Sequence, residues 1–337
     1  MEKNSSTATL APHAGASASY FNPRRLGHVN LWVEDIHASE RFYNQVCGLN
    51  VEFTEPDLIA TFLGTGHTPH DLGMMQTTKG VNRYGRNGLL QLPGTIGLKP
   101  GLNHLAWELE NEADLVRAWR AMKQDDVDMD MTVDHQVAHS VYMFDPDGNY
   151  NEFYCDTVKD WRSVLTGPME LLTSHWDPDS AEPFTEGRYD TDPTIRYVES
   201  APIHPQRITH AVLETSNLEA MTDFYTRIAG LTIVRRTNDV VYLRPALKNY
   251  GHALVLVKAD APSFHHASFE LASQQALEAS IANLRKQGQR ITMDIDLPWK
   301  RSFMLEDVDG LQTEWYVSRP APIALADRGA VPLAASV

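Results

Sequence analysis

The chain is poor in cysteine: Cys47 and Cys155 are the only two among 337 residues. They lie far apart in no ligand-like spacing, which excludes a disulfide framework and points to a reducing cytoplasm as the expected location. Long apolar runs are also missing, since no stretch reaches the roughly 18 residues that a membrane-spanning helix needs. Basic clusters are absent too. Lys and Arg total 29 against 44 Asp and Glu, a formal net charge of -15, which argues against nucleic acid or an anionic membrane as a partner. The Ser/Ala/Thr-rich stretch 1–24 lacks the basic-then-apolar pattern of a signal peptide. It reads as a disordered tail, as does the Ala/Pro-rich stretch 319–337.

What is present is a repeat. Arg25-Leu-Gly-His28 leads to Phe42-Tyr43 and then Gly48-Leu49; Ile208-Thr-His210 leads to Phe224-Tyr225 and then Gly230-Leu231. His28/His210, Phe42/Phe224, Gly48/Gly230 and His70/His252 are each 182 residues apart. Later pairs, His104/His266 and Glu152/Glu314, are 162 apart. The first half therefore carries about 20 extra residues before His104, within the polar, Gly-rich loop Lys79–Lys99. Long loops in compact domains are often functional. Its Arg83 and Arg86 are placed either to cap a site and meet an acidic substituent or to face solvent.

Each half repeats again internally, with a strand, an amphipathic helix and further strands. Helices are expected at about Ile36–Val46, Glu112–Gln124, Leu218–Ala229 and Gln274–Gln287. The expected fold is α+β: two domains, 25–158 and 206–318, each of two βαβββ modules, joined by a linker at 159–205.

Alternation on the expected strands puts His28 beside Asn30 and Trp32, His104 beside Ala106 and Glu108, and Glu152 beside Tyr150 and Tyr154. One inward histidine on a strand is usually a packed core residue. Two histidines and a carboxylate recurring in both halves suit a metal instead. That ligand set leaves three positions open on octahedral Fe(II), whereas structural zinc closes a tetrahedron.

A denser pattern runs Val133-Asp-His135, Val141-Tyr142, Asp145-Pro-Asp-Gly148 and Glu152. It resembles, at every fixed position, the signature of type I extradiol ring-cleavage dioxygenases of the vicinal oxygen chelate superfamily, which also holds glyoxalase I and bleomycin-resistance proteins. The resemblance covers 25–157 closely and 206–318 at the level of fold. It implies Fe(II), with Mn(II) as the substitute, held by His28, His104 and Glu152. It further implies O2 as co-substrate, a catechol-type small molecule bound by His135 and Tyr142, and an acid/base role for His70, with His67 as its competitor. His139 has no family role and reads as structural. Homo-oligomerisation through edge strands is expected.

One departure stands out. In well-known two-domain members the iron lies in the C-terminal domain. Here the C-terminal half keeps His210, His266, Glu314 and His252, but Met304 replaces the tyrosine and no histidine matches His135. It reads as a degenerate copy, with a second metal, or a site mixing His28 with His266 and Glu314, left open. Rival readings are a glyoxalase-like lyase or isomerase, and a metal-free protein that sequesters a small molecule.

Overall fold

The computed structural model describes residues 19–86, 88–165, 167–168, 174–247, 251–320 and 332–337. The first half contains β1 (Arg25–Val33), β2 (Asn50–Glu55), β3 (Ala60–Gly64), β4 (Leu72–Gln76), β5 (Arg83–Tyr84), β6 (Leu90–Leu92), β7 (Gly101–Glu108), β8 (Met131–Asp134), β9 (Ala138–Phe144) and β10 (Tyr150–Asp156). The linker adds β11 (Gly167–Pro168) and β12 (Ser174–His175). The second half contains β13 (Pro205–Thr215), β14 (Thr232–Arg236), β15 (Val240–Arg244), β16 (Leu254–Lys258), β17 (Ser263–Leu271), β18 (Ile291–Leu297), β19 (Lys300–Glu306) and β20 (Gln312–Ser318). Four helices, α1 (Ile36–Arg41), α2 (Glu112–Gln124), α3 (Leu218–Asp223) and α4 (Gln274–Lys286), complete the four βαβββ modules.

Each helix starts where a side chain accepts its first free N–H groups: Asp35, Asn111, Asn217 and Ser273 cap α1 to α4 in turn. α1 and α3 do not continue as regular helix to the end of the apolar period. Each passes into a π-helical turn, at Phe42–Val46 and Phe224–Ile228. Hydrophobic spacing alone does not distinguish that turn from α-helix.

The two modules of each half share one sheet. Its order in the first half is β11-β2-β3-β4-β1-β7-β10-β9-β8-β12, and in the second β14-β15-β16-β13-β17-β20-β19-β18. The linker thus extends the first sheet at both edges, blunting strands that would otherwise offer unpaired backbone. One face of each sheet packs into a shared core. Phe153 and Trp107 face each other across β10 and β7, as do Trp315 and Phe269 across β20 and β17, and all four are buried. Burial of each such ring stabilises the fold by roughly 1.5–3 kcal/mol.

The halves are tied by a reciprocal exchange. The Tyr43 hydroxyl donates to Asp307 Oδ2 at 3.0 Å, and Tyr225, its repeat partner, donates to Asp145 Oδ2 at 2.9 Å. Gly48 and Gly230 both sit at φ +77°, and a Cβ at either would collide with a backbone carbonyl, of Ile203 and Phe21 respectively. Both reasons favour glycine there.

The stretches expected to be tails are ordered where they are described. Phe21 is buried and stacks on Phe153 at 3.9 Å, with its N–H donating to Ile228 O. At the other end, Ala334, Ala335 and Val337 are buried in the second half. The physical reason is the same at both ends: an aromatic or aliphatic side chain in a Ser/Ala/Pro-rich setting still gains by filling an apolar recess. Residues 1–18 and 321–331 of those stretches lie outside the described residues. Among the described residues no helix is long and apolar enough to cross a membrane.

Candidate metal centre

The register of four neighbouring strands builds the site. His28 on β1 pairs with Ala106 on β7, Ala106 with Glu152 on β10, and Glu152 with Tyr142 on β9. His104 lies two residues before Ala106, on the same face. One row across the sheet therefore carries His28, the carboxylate and the tyrosine, and the next row on the same face carries His104. Ala106 in the middle leaves room for them.

The donor atoms converge. His28 Nε2 is 3.3 Å from His104 Nε2 and 3.1 Å from Glu152 Oε2, and His104 Nε2 is 3.2 Å from the same oxygen. Ligands at about 2.1 Å from an octahedral ion, on adjacent vertices, lie about 3.0 Å apart. The three residues thus fit a facial triad. Supporting contacts aim them. His104 Nδ1 meets Asn103 Oδ1 at 2.8 Å, which leaves Nε2 free to act as a ligand, and Ser140 Oγ donates to Glu152 Oε1 at 2.6 Å. Asn103 and Ser140 escaped the sequence reading: Ser140 meets Glu152 through cross-strand register, and the Asn103 side chain folds back on its own neighbour, His104. Burial alone would raise the Glu152 carboxyl; the His104 and His28 rings outweigh it and hold it well below the usual carboxylate range.

The other expected residues gather at the same place. His135 Nε2 lies 3.0 Å from the Tyr142 hydroxyl and 3.9 Å from Glu152 Oε1. Burial pushes the Tyr142 hydroxyl well up and the His135 ring down, so at neutral pH Tyr142 keeps its proton and His135 is neutral. His70 sits in the loop before β4 rather than on a strand. Its ring packs 3.9 Å from that of His28, and both its nitrogens are buried without a hydrogen-bond partner. Burial first, and His28 next, push it well below the ordinary histidine range. His67 lies outside the cavity, 3.4 Å from Thr65 Oγ1. Glu108 is likewise spent elsewhere, on Arg24 and Arg25. His139 contacts Glu112 at 2.5 Å and stacks on Trp176, a packing role.

His28, His70, His104, His135, Tyr142 and Glu152 line a cavity of about 100 Å³. It adjoins an outer vestibule of about 560 Å³, walled in part by Trp32, Leu102 and Phe144 and by Leu92 and Ile96 of the long loop. The loop thus reaches the site, but Arg83 does not, because its guanidinium donates to the Leu58 and Thr77 carbonyls. The loop also forms a short hairpin, β5–β6.

The family model of the Glyoxalase/Bleomycin resistance protein/Dioxygenase superfamily matches residues 25–153 and 207–315. The chain belongs to that superfamily. Metapyrocatechase 2 of Cupriavidus necator is 28% identical over 151 residues, 44% of this chain and 42% of that protein. Biphenyl-2,3-diol 1,2-dioxygenase 3 of Rhodococcus globerulus is 28% identical over 133 residues, 39% of this chain and 63% of that one. The matched stretches cover less than two thirds of either relative. Among solved structures, the 2,3-dioxygenase LapB from Pseudomonas sp. KL28 has a TM-score of 0.62 at 13% identity, covering 90% of this chain and 96% of that chain. The Mn(II)-bound glyoxalase from Novosphingobium aromaticivorans has a TM-score of 0.61 at 15% identity, covering 92% and 91%. At such identities the likeness establishes the fold, which is the vicinal oxygen chelate arrangement that the resemblance implied.

The cup of the second sheet is filled. His210, His266 and Glu314 do cluster within their own half, as do His28, His104 and Glu152; neither group crosses between halves. However, both His210 and His266 stand 3.7 Å from Glu314 Oε2, while Lys300 Nζ lies 2.5 Å from Glu314 Oε1 and 2.5 Å from Val337 O. Lys300 occupies the repeat position of Ala138, Trp299 that of Val137, Leu297 that of His135 and Met304 that of Tyr142. Ala335 packs against the same apolar group. A small residue that leaves space in the first cup is thus a long cation in the second.

Proposed function

We propose that the N-terminal half cleaves the ring of a catechol-type diol with O2 beside one of its hydroxyl-bearing carbons, at a mononuclear Fe(II) held by His28, His104 and Glu152. The observation that carries this reading is the convergence of three donor atoms at octahedral spacing beside the His135–Tyr142 pair, on the wall of a cavity that Phe53, Leu58, Phe62 and Val137 also line. When bound, Fe(II) supplies the charge that acidifies the diol hydroxyls and the open positions where diol and O2 meet. Tyr142 keeps its proton and donates a hydrogen bond to a diol oxygen. His135, neutral and in contact with the Tyr142 hydroxyl, fixes that hydroxyl's direction. His70, neutral with both nitrogens free, takes up and returns a proton within the cavity. Phe53 and Phe62, which pack against His70, exclude water from that transfer.

The test is O2 uptake by protein loaded anaerobically with Fe(II), with catechol, a biphenyl-diol and protocatechuate as substrates. Uptake with a yellow ring-opened product is expected. Glu152→Ala should lose both iron and uptake, whereas Glu314→Gln should keep both. Bound iron without uptake on any diol, or loss of uptake in the Glu314 variant alone, would overturn the assignment.

A further inference from the structure

The catalytic cavity contains a carboxyl group that the ring-cleavage chemistry does not use. Glu55 ends β2, on the same face as Phe53, and its side chain lines the cavity together with Leu58, Phe62 and Val137. It is 4% exposed. Among the described residues it has neither a hydrogen-bond nor an ion-pair partner. A buried carboxyl left without a partner is costly, so a leucine would be the more stable choice unless a ligand satisfies the group. The rest of the wall points the same way. Asp156 also lines the cavity, with its Oδ1 buried and unpartnered, and no lysine or arginine lines it. Neither arginine of the long loop lines the cavity, and Arg83 is bound to backbone carbonyls.

We infer that Glu55 is a specificity-determining residue that selects catechols whose side chain carries a hydrogen-bond donor, as an ammonium or a hydroxyl, and that rejects those whose side chain is anionic. The inference rests on the ring-cleavage reading for the identity of the diol end of the ligand; the selection at the other end rests on Glu55 alone. A donor placed against Glu55 satisfies an acceptor that is otherwise stranded in apolar surroundings. Burial, with Asp57 nearby, pushes the Glu55 carboxyl well up, so a hydroxyl meets a neutral acid, whereas a bound ammonium favours the carboxylate, which releases its proton to solvent and forms an ion pair. A carboxylate would instead have to be buried as a charge in a wall that offers Glu55 and Asp156 and no lysine or arginine to balance it.

The experiment is anaerobic calorimetric binding of four catechols, identical except for the side chain, to the iron-loaded enzyme. The side chains are aminoethyl, hydroxyethyl, ethyl and carboxymethyl. Aminoethyl and hydroxyethyl should bind more tightly than ethyl, and carboxymethyl should be weaker than aminoethyl by roughly tenfold or more. Glu55→Gln should abolish the advantage of aminoethyl over hydroxyethyl while keeping hydroxyethyl ahead of ethyl. Glu55→Leu should put ethyl first. Carboxymethyl binding as tightly as aminoethyl, an order unchanged in Glu55→Leu, or no binding of any of the four would overturn the inference. The expected order without oxygen consumption would overturn the ring-cleavage reading and leave the selection by Glu55 standing.

Discussion

Lys300 Nζ lies 2.5 Å from Glu314 Oε1, so in the second half a side-chain ammonium holds the carboxylate that in the first half faces two histidines. Burial would raise the Glu314 carboxyl, and Lys300 first, with His266 and His210, more than reverses this and holds it well below the usual range. Replacing Lys300 by alanine leaves a buried carboxylate facing His210 and His266, at a cost of roughly 3–5 kcal/mol. Lys300→Ala should therefore melt lower than wild type in chelator and recover with a divalent metal, and its metal content should rise from one to two per chain. A variant that melts like wild type and binds no extra metal would show that something other than Lys300 closes this cup.

The paired hydroxyls between the halves should differ in what they control. Tyr43→Phe and Tyr225→Phe each remove a donor to a buried carboxyl, worth about 1–3 kcal/mol. Chemical denaturation should show a similar loss for both. Asp145, which Tyr225 holds, also accepts the Asp147 and Asn149 N–H groups in the turn that leads into β10 and Glu152. Iron affinity should consequently fall in Tyr225→Phe and not in Tyr43→Phe. Equal iron affinities in the two variants would refute the link between that turn and the ligand strand.

Acid should destabilise the protein through histidines that the fold keeps neutral. Burial, then Lys300, pushes the His252 ring down to about 4, whereas an unfolded histidine titrates near 6.5, as a rough reference. Between those values the unfolded chain binds a proton that the folded chain does not. Stability is then full above about pH 6.5 and falls as the pH drops towards 4, by about 1.4 kcal/mol per pH unit for one such group. His265, pushed down to about 4 chiefly by burial, adds to the same slope. His252→Phe should flatten the acid limb of urea-denaturation stability by one proton's worth. Parallel limbs in variant and wild type would rule out His252 as a source of the slope.

Much of the architecture was legible in the sequence because duplication kept the halves in register. The spacings of 182 and 162 residues predicted two copies of one sheet, and Glu112–Gln124 was readable as a helix from its apolar period. His135, Tyr142 and Glu152 could be singled out because their motif is dense, and His28 and His104 because each recurs in the second half. The contents of the second cup were only half legible. The absence of partners for Tyr142 and His135 could be seen, but that Lys300 and Val337 meet at Glu314 depends on side-chain reach across strands and on a segment whose composition resembles a tail. Glu55 gave no sequence signal at all. It is one glutamate in an acidic chain until the curl of the sheet turns it inward beside Phe53.

The row that joins His28, Ala106, Glu152 and Tyr142 has a consequence for how this chain can change. Residues on either side of each ligand, Val29, Leu105 and Phe153 among them, point the opposite way into the core. A slip of one residue in any of these strands would expose its core residues and turn its ligand into oil at the same moment. Function and folding are thus interleaved line by line, and each proofreads the other: drift that spoiled the cup would first be punished as instability. The second half shows what that leaves open. There the alignment persisted and only the letters facing the cup were rewritten.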